Sequence, residues 1–119
     1  MEKKHGFSYN DTDDSLIVSN RSENEIVKEN FEVGDIIFSL TGKGKIISIE
    51  IREFSSFLEA CNMPIEIAKN MDNVELKIIP KKETIFLLIK IVYNNKGSII
   101  SKEIPLVMPL NSINKESQS

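Results

Sequence analysis

The sequence predicts an α+β fold that is mainly antiparallel β, with two β units of about six or seven strands joined by two short helices. Isoleucine occurs 19 times among 119 residues and alanine only twice, which favours pleated strands over helices. Stretches of alternating apolar and polar residues are separated by clusters of Asn, Asp, Gly and Pro, as in strands joined by turns.

The first β unit begins with a predicted hairpin. Phe7–Asn10 and Leu16–Ser19 flank a polar turn rich in Asp. The segment Arg21–Asn30 is too polar for a core element and predicts a loop with one short edge strand. The clearest hairpin follows, because single faces of two alternating strands flank a TGKGK turn at residues 41–45. These faces consist of Ile36, Phe38 and Leu40, and of Ile47, Ile49 and Ile51.

Two short helices are predicted next. Ser56 and Glu59 match the spacing of a capping box, so a helix Ser56–Asn62 is expected to end before Pro64. Pro64 suits the first turn of a second helix, Pro64–Met71.

The second β unit contains the most apolar strand of the chain. Residues 74–78 alternate, and Thr84–Tyr93 is apolar on both faces except at Lys90, which predicts a central or interface strand. Ile99–Met108 is predicted to be an edge strand, since proline cannot donate to a ladder and Pro105 lies within this stretch and Pro109 directly after it.

Length and composition predict one domain. A chain of 119 residues and 13.5 kDa fits one β-rich domain at residues 7–110, preceded by a flexible N-terminus, 1–6, and followed by a disordered polar tail, 111–119. The net charge of −3 disfavours nonspecific nucleic-acid binding. A single cysteine, Cys61, together with no apolar run of signal-peptide or membrane-spanning length, predicts a cytoplasmic protein without a membrane segment.

The first half also carries a family-like pattern over residues 7–58. It combines a tyrosine, an acidic turn and a short apolar strand with an acidic-start hairpin that ends in Ile-Glu-Ile. The matching residues are Tyr9, Asn10, Asp14, Leu16, Ile17, Val18, Gly34, Asp35, Ile36, Gly42, Gly44, Ile46, Ile47, Ile49, Glu50 and Ile51. This pattern resembles the family catalogued as domain of unknown function 2283. The resemblance implies no catalytic residue, and it is compatible with a partner-binding, antitoxin-like role.

Candidate chemical motifs are weak. The aspartates at 11, 13 and 14 do not form an EF-hand loop, because Leu16 and Ser22 stand where its glycine and glutamate belong. The TGKGK segment lacks the spacing of a phosphate-binding loop. Cys61 has no histidine near it in sequence to activate it, since His5 is the only histidine. We therefore expect no metal, no cofactor and no catalytic residue.

The leading hypothesis is a noncatalytic interaction module that binds a protein partner. One alternative is an RNA-binding protein that uses Lys77, Lys81 and Lys82, whose affinity should fall steeply with salt. Another is a small enzyme that uses carboxylates such as Asp14 and Glu50.

The strand Thr84–Tyr93 also predicts self-association. A single sheet layer cannot bury both of its apolar faces. One expectation is that the two short helices cover Phe86, Leu88 and Val92. Where the helices leave these residues exposed, they form the candidate interface of a homodimer, the commonest symmetric form.

Overall fold

Two antiparallel sheets with a short helical segment between them make up the computed structural model, which describes residues 3–22 and 24–109. The five-stranded sheet has the order β1-β2-β5-β4-β3, and the three-stranded sheet has the order β6-β7-β8. The strands of the first are β1 (Lys3–Asn10), β2 (Ser15–Ser22), β3 (Glu29–Val33), β4 (Ile36–Leu40) and β5 (Ile46–Ile51). Those of the second are β6 (Met71–Pro80), β7 (Thr84–Asn95) and β8 (Ser98–Pro109). The predicted α+β, mainly antiparallel β class is confirmed, with eight strands in the described residues.

The first hairpin is longer than its apolar pattern indicates. β1 begins at Lys3, whose partner in β2 is Ser22, so the backbone of residues 3–6, which the sequence assigns to the N-terminal segment, is paired with β2. Backbone pairing continues past the apolar residues because ladder hydrogen bonds do not depend on side chains. The predicted tail, 111–119, lies outside the described residues.

The five-stranded sheet has one buried and one outer face. In one cross-strand row, Val18, Ile49 and Phe38 are buried. In the neighbouring row Ile17 points outward and is 43% exposed, as expected from the alternation of side chains along a strand.

The three-stranded sheet packs one of its two faces onto the same core. β7 buries every second side chain, and the buried set is Ile85, Leu87, Ile89, Ile91 and Tyr93. β6 lies against β1 and β2. There the amide nitrogen of Asn20 donates a 3.1 Å hydrogen bond to the carbonyl oxygen of Leu76. The two sheets are thus joined by a shared core and by a side-chain hydrogen bond.

The first predicted helix is displaced. The α-helix α1 spans Phe54–Ala60, not Ser56–Asn62. Its N-cap position is Glu53, which has φ 51° and makes no side-chain cap hydrogen bond. The prediction that Ser56 caps the helix was therefore wrong, because Ser56 lies inside it. The backbone N–H of Ser55 instead donates to the carboxylate of Asp14, a residue of the β1–β2 turn.

The second predicted helix, Pro64–Met71, was also wrong in type and length. It is a 3₁₀ turn, Ile65–Lys69, and Met71 already begins β6. Asn70 leaves the helical region at φ −126°, and its carbonyl oxygen accepts the N–H of Asn94. This contact with the end of β7 directs the chain into the sheet.

Candidate functional site

The outer face of the three-stranded sheet carries an exposed apolar patch. The register places Ile79, Phe86 and Val107 side by side on β6, β7 and β8. Leu88 and Pro105 stand in the next row. Phe86 is 37% exposed and Val107 is 57% exposed. We call these five residues the apolar patch.

A charged row borders the apolar patch on one side. Lys90 stands between Glu75 on β6 and Glu103 on β8, and Lys77 stands beside Leu88. All four charged side chains are exposed. Two lysines and two glutamates give this face no net charge.

The predicted interface residues share this face. Phe86, Leu88 and Val92 alternate with the buried residues of β7, and Lys90 separates Val92 from the other two. The sequence prediction missed Ile79, Pro105 and Val107, which belong to other strands. Only the pairing register could have found them, because it decides which residues stand beside Phe86.

The β8 edge of this sheet is less suited to binding than its face. β8 is an edge strand, as its prolines predicted. Pro105 and Pro109 are an even number of residues apart, so their backbone nitrogens lie on the same side of β8. That side faces away from β7, so the two missing N–H groups leave gaps on the open edge. Beside this edge, Cys61–Pro64 lines a cavity of about 530 Å³ together with Lys102–Pro105. An added strand would therefore meet missing donors and a neighbouring segment.

A second polar cluster lies at the start of α1. The hydroxyl of Tyr9 donates to Oδ1 of Asp14 at 2.7 Å, and Ser55 donates its N–H at 3.1 Å and its hydroxyl at 3.0 Å. Partial burial raises the pKa of Tyr9, and the adjacent Asp14 raises it further. Burial also favours a higher pKa for Asp14, but the hydrogen bonds from Tyr9 and Ser55 outweigh it and hold that pKa below 3.8. The cluster fits a structural cap, because its donors already occupy the carboxylate.

The cluster borders a cavity of about 470 Å³, which Glu66 and Lys69 also line. Glu50, the other carboxylate of the enzyme hypothesis, lies elsewhere. It stands between Ile17 and Ile37 on the outer face of the five-stranded sheet. The structure thus does not bring Asp14 and Glu50 into one site.

The TGKGK turn uses its backbone donors internally. The N–H groups of Lys43 and Lys45 donate to the hydroxyl of Thr41, and that of Gly44 donates to the Thr41 carbonyl. Gly44 has φ +82°, which favours glycine. Glu25, whose pKa is lowered by the hydrogen bond from Lys45, ties this turn to the preceding loop. The N–H groups of Lys43, Gly44 and Lys45 are therefore occupied within the turn.

The lysines of the RNA hypothesis do not form one basic stripe. Lys77 is on the outer face of β6, and Lys81 and Lys82 lie in the β6–β7 connection. All three are exposed, Ile79 separates Lys77 from the other two, and Glu75 and Glu83 flank the group in sequence. The thiol of Cys61 is half-buried, and burial raises its pKa, which opposes a role as a nucleophile.

Residues 3–22 and 24–109 contain neither a candidate metal site nor a membrane-spanning helix. That part of the chain holds no group of three or more His, Cys, Asp or Glu side chains able to bind a metal ion. None of its helices has the length and apolar character needed to cross a bilayer.

Comparison with known proteins finds no family model, no curated protein and no solved structure that matches this chain. The resemblance to domain of unknown function 2283 therefore stays a prediction.

Proposed function

We propose that the chain is a noncatalytic protein-interaction module that binds its partner through the outer face of the three-stranded sheet. The observation that carries this proposal is the apolar patch. Three adjacent strands contribute to it, while their opposite face is buried in the core. Contiguous exposed apolar surface with a polar border is typical of protein-binding sites.

The alternatives have less support. RNA binding needs a basic surface with aromatic platforms, and Phe86 is the only aromatic residue on this face, which has no net charge. The carboxylate-enzyme hypothesis needs its acidic groups in one cavity, and Asp14 and Glu50 face different surfaces.

Site-specific photocrosslinking tests the proposed binding surface. A photocrosslinking amino acid replaces Phe86 in the full chain, expressed at its natural level in its own cells. The matched control carries it at Ile17, an apolar residue on the outer face of the other sheet that is 43% exposed, against 37% for Phe86. We expect a discrete protein adduct from position 86 and none from position 17. Equal adducts from both positions, or none from position 86, would overturn the proposal.

A further inference from the structure

We infer that the partner on this face is a second copy of the chain, packed outer face to outer face. This inference rests on the proposed function and names its occupant. Three features of the surface lead to it: its charge balance, its area and the closed edge beside it.

The charges of the face suit a copy of itself. A twofold dimer brings the same surface from both partners together, so a surface with a strong net charge would repel its copy. Here Lys77 and Lys90 balance Glu75 and Glu103. The five residues of the apolar patch can therefore meet their counterparts without net repulsion between the two faces.

The area is sufficient for a small, specific dimer. Strands lie about 4.8 Å apart and rise about 3.4 Å per residue, so three strands of this length present a face of roughly 500–600 Å². Two copies would remove about 1,000–1,200 Å² from water, which is at the lower end for specific interfaces. We therefore expect a dimer that dissociates on dilution.

The edge of β8 favours face-to-face packing over sheet extension. Pro105 and Pro109 remove N–H donors on the open side of this strand. In a stacked dimer those missing donors have no cost, because side chains and not backbone groups form the contact. Pro105 then contributes its ring to the apolar patch.

Sedimentation equilibrium of the full chain over roughly 1–200 μM tests this inference, since interfaces of this size often bind in the micromolar range. We expect the average mass to rise from 13.5 kDa toward twice that value with concentration. Leu88→Lys should abolish the rise, because it places a charge on the middle strand of the apolar patch, between Phe86 and Lys90. The control Ile17→Lys, on the other sheet, should leave the rise unchanged. Circular dichroism verifies that both variants are folded.

A second variant tests the charge balance of the face without changing the apolar patch. Lys90→Glu would give a row of three carboxylates and a face with net charge −2. We expect it to weaken dimerisation at low salt and added salt to restore part of it, because exposed charges are screened.

The two proposals fail differently. If the mass stays at one chain at every concentration while position 86 still crosslinks to another protein, the second-copy inference is overturned and the proposed function stands. A crosslink from position 86 to RNA overturns both. A dimer that Ile17→Lys disrupts and Leu88→Lys does not would place the interface on the other sheet and also overturn both.

Discussion

The hydroxyl of Tyr9 and the carboxylate of Asp14 form a 2.7 Å hydrogen bond across the turn of the first hairpin. The same carboxylate accepts the backbone N–H of Ser55 in the first turn of α1, 41 residues further along the chain. A distant turn therefore supplies the cap that Glu53, at the N-cap position, does not. This carboxylate therefore ties the start of the helix to the first hairpin of the five-stranded sheet.

Replacing Asp14 with alanine should destabilise the fold markedly. Asp14→Ala removes the acceptor of three donors, and we expect a loss of about 2–3 kcal/mol in the free energy of unfolding. Urea denaturation followed by circular dichroism measures it. Asp11→Ala, an exposed residue of the same turn, is the control and should change stability by less than about 0.5 kcal/mol. Equal effects of the two variants would contradict a capping role.

The contribution of Asp14 should depend on pH. Its pKa in the folded chain lies below the ordinary value of 3.8, so its stabilising effect is complete above that value and is lost as the pH falls through the folded pKa. The stability difference between the natural chain and Asp14→Ala should be constant above about pH 5 and shrink below about pH 4. Urea denaturation at several pH values tests this. A difference that grows on acidification would show the opposite sign of the pKa shift.

Tyr9→Phe removes only the hydroxyl of this cluster. Loss of one hydrogen bond to a charged acceptor should cost about 1–2 kcal/mol. It should also raise the pKa of Asp14, because the hydrogen bond from Tyr9 helps to lower it. Titration of the carboxyl carbon by NMR measures that pKa in both chains. If it stays the same, Tyr9 does not donate to Asp14 in solution.

The hydrogen bond between the sheets gives a separate prediction. Asn20→Ala leaves the carbonyl of Leu76 without its side-chain donor and should lower the free energy of unfolding by about 1–2 kcal/mol. Asn30→Ala is the control, since exposed Asn30 accepts a hydrogen bond from Ser39 within one sheet. Its effect should be smaller. Thermal unfolding of the natural chain and both variants in the same buffer measures the two losses. Equal losses would contradict a stabilising role of the hydrogen bond between the sheets.

Two neighbouring phenylalanines of α1 should respond differently to truncation. Phe54 is fully buried and lies 5.7 Å from the ring of Tyr9, whereas Phe57 is half-buried. Phe54→Ala should cost about 3–5 kcal/mol, and Phe57→Ala clearly less. Chemical denaturation measures both. Similar losses would place Phe57 in the core as well.

The strands could be predicted from the sequence because their signal is local. Ile36, Phe38 and Leu40 alternate with residues of the other face, and burial follows that alternation at Phe38 and Leu40. The start of α1 could not be predicted in the same way. Ser56 and Glu59 have the right spacing for a cap, but the actual acceptor, Asp14, is brought there only by the tertiary fold.

The candidate surface was predictable in part for the same reason. Phe86 and Leu88 follow from the alternation within β7. Ile79 and Val107 belong to the surface only because the hairpins align them with Phe86, and register is set by pairing and turn geometry. The sequence shows that Lys90 lies between Leu88 and Val92 on the same face of β7. That the apolar patch ends at Lys90 could be concluded only after the structure placed Glu75 and Glu103 beside it.

The central position of β7 also affects the tendency of the chain to aggregate. Its segment Ile85–Ile89 is uncharged, strongly apolar and free of proline, which is the composition of fibril-forming peptides. In the folded chain β6 and β8 occupy both of its edges, and Lys90 places a charge directly after this segment. A chain truncated after Asn95 would leave one edge of β7 open as a template for cross-β assembly. The last strand therefore covers an edge of β7 that would otherwise be open to pairing with another chain, as well as completing the second sheet.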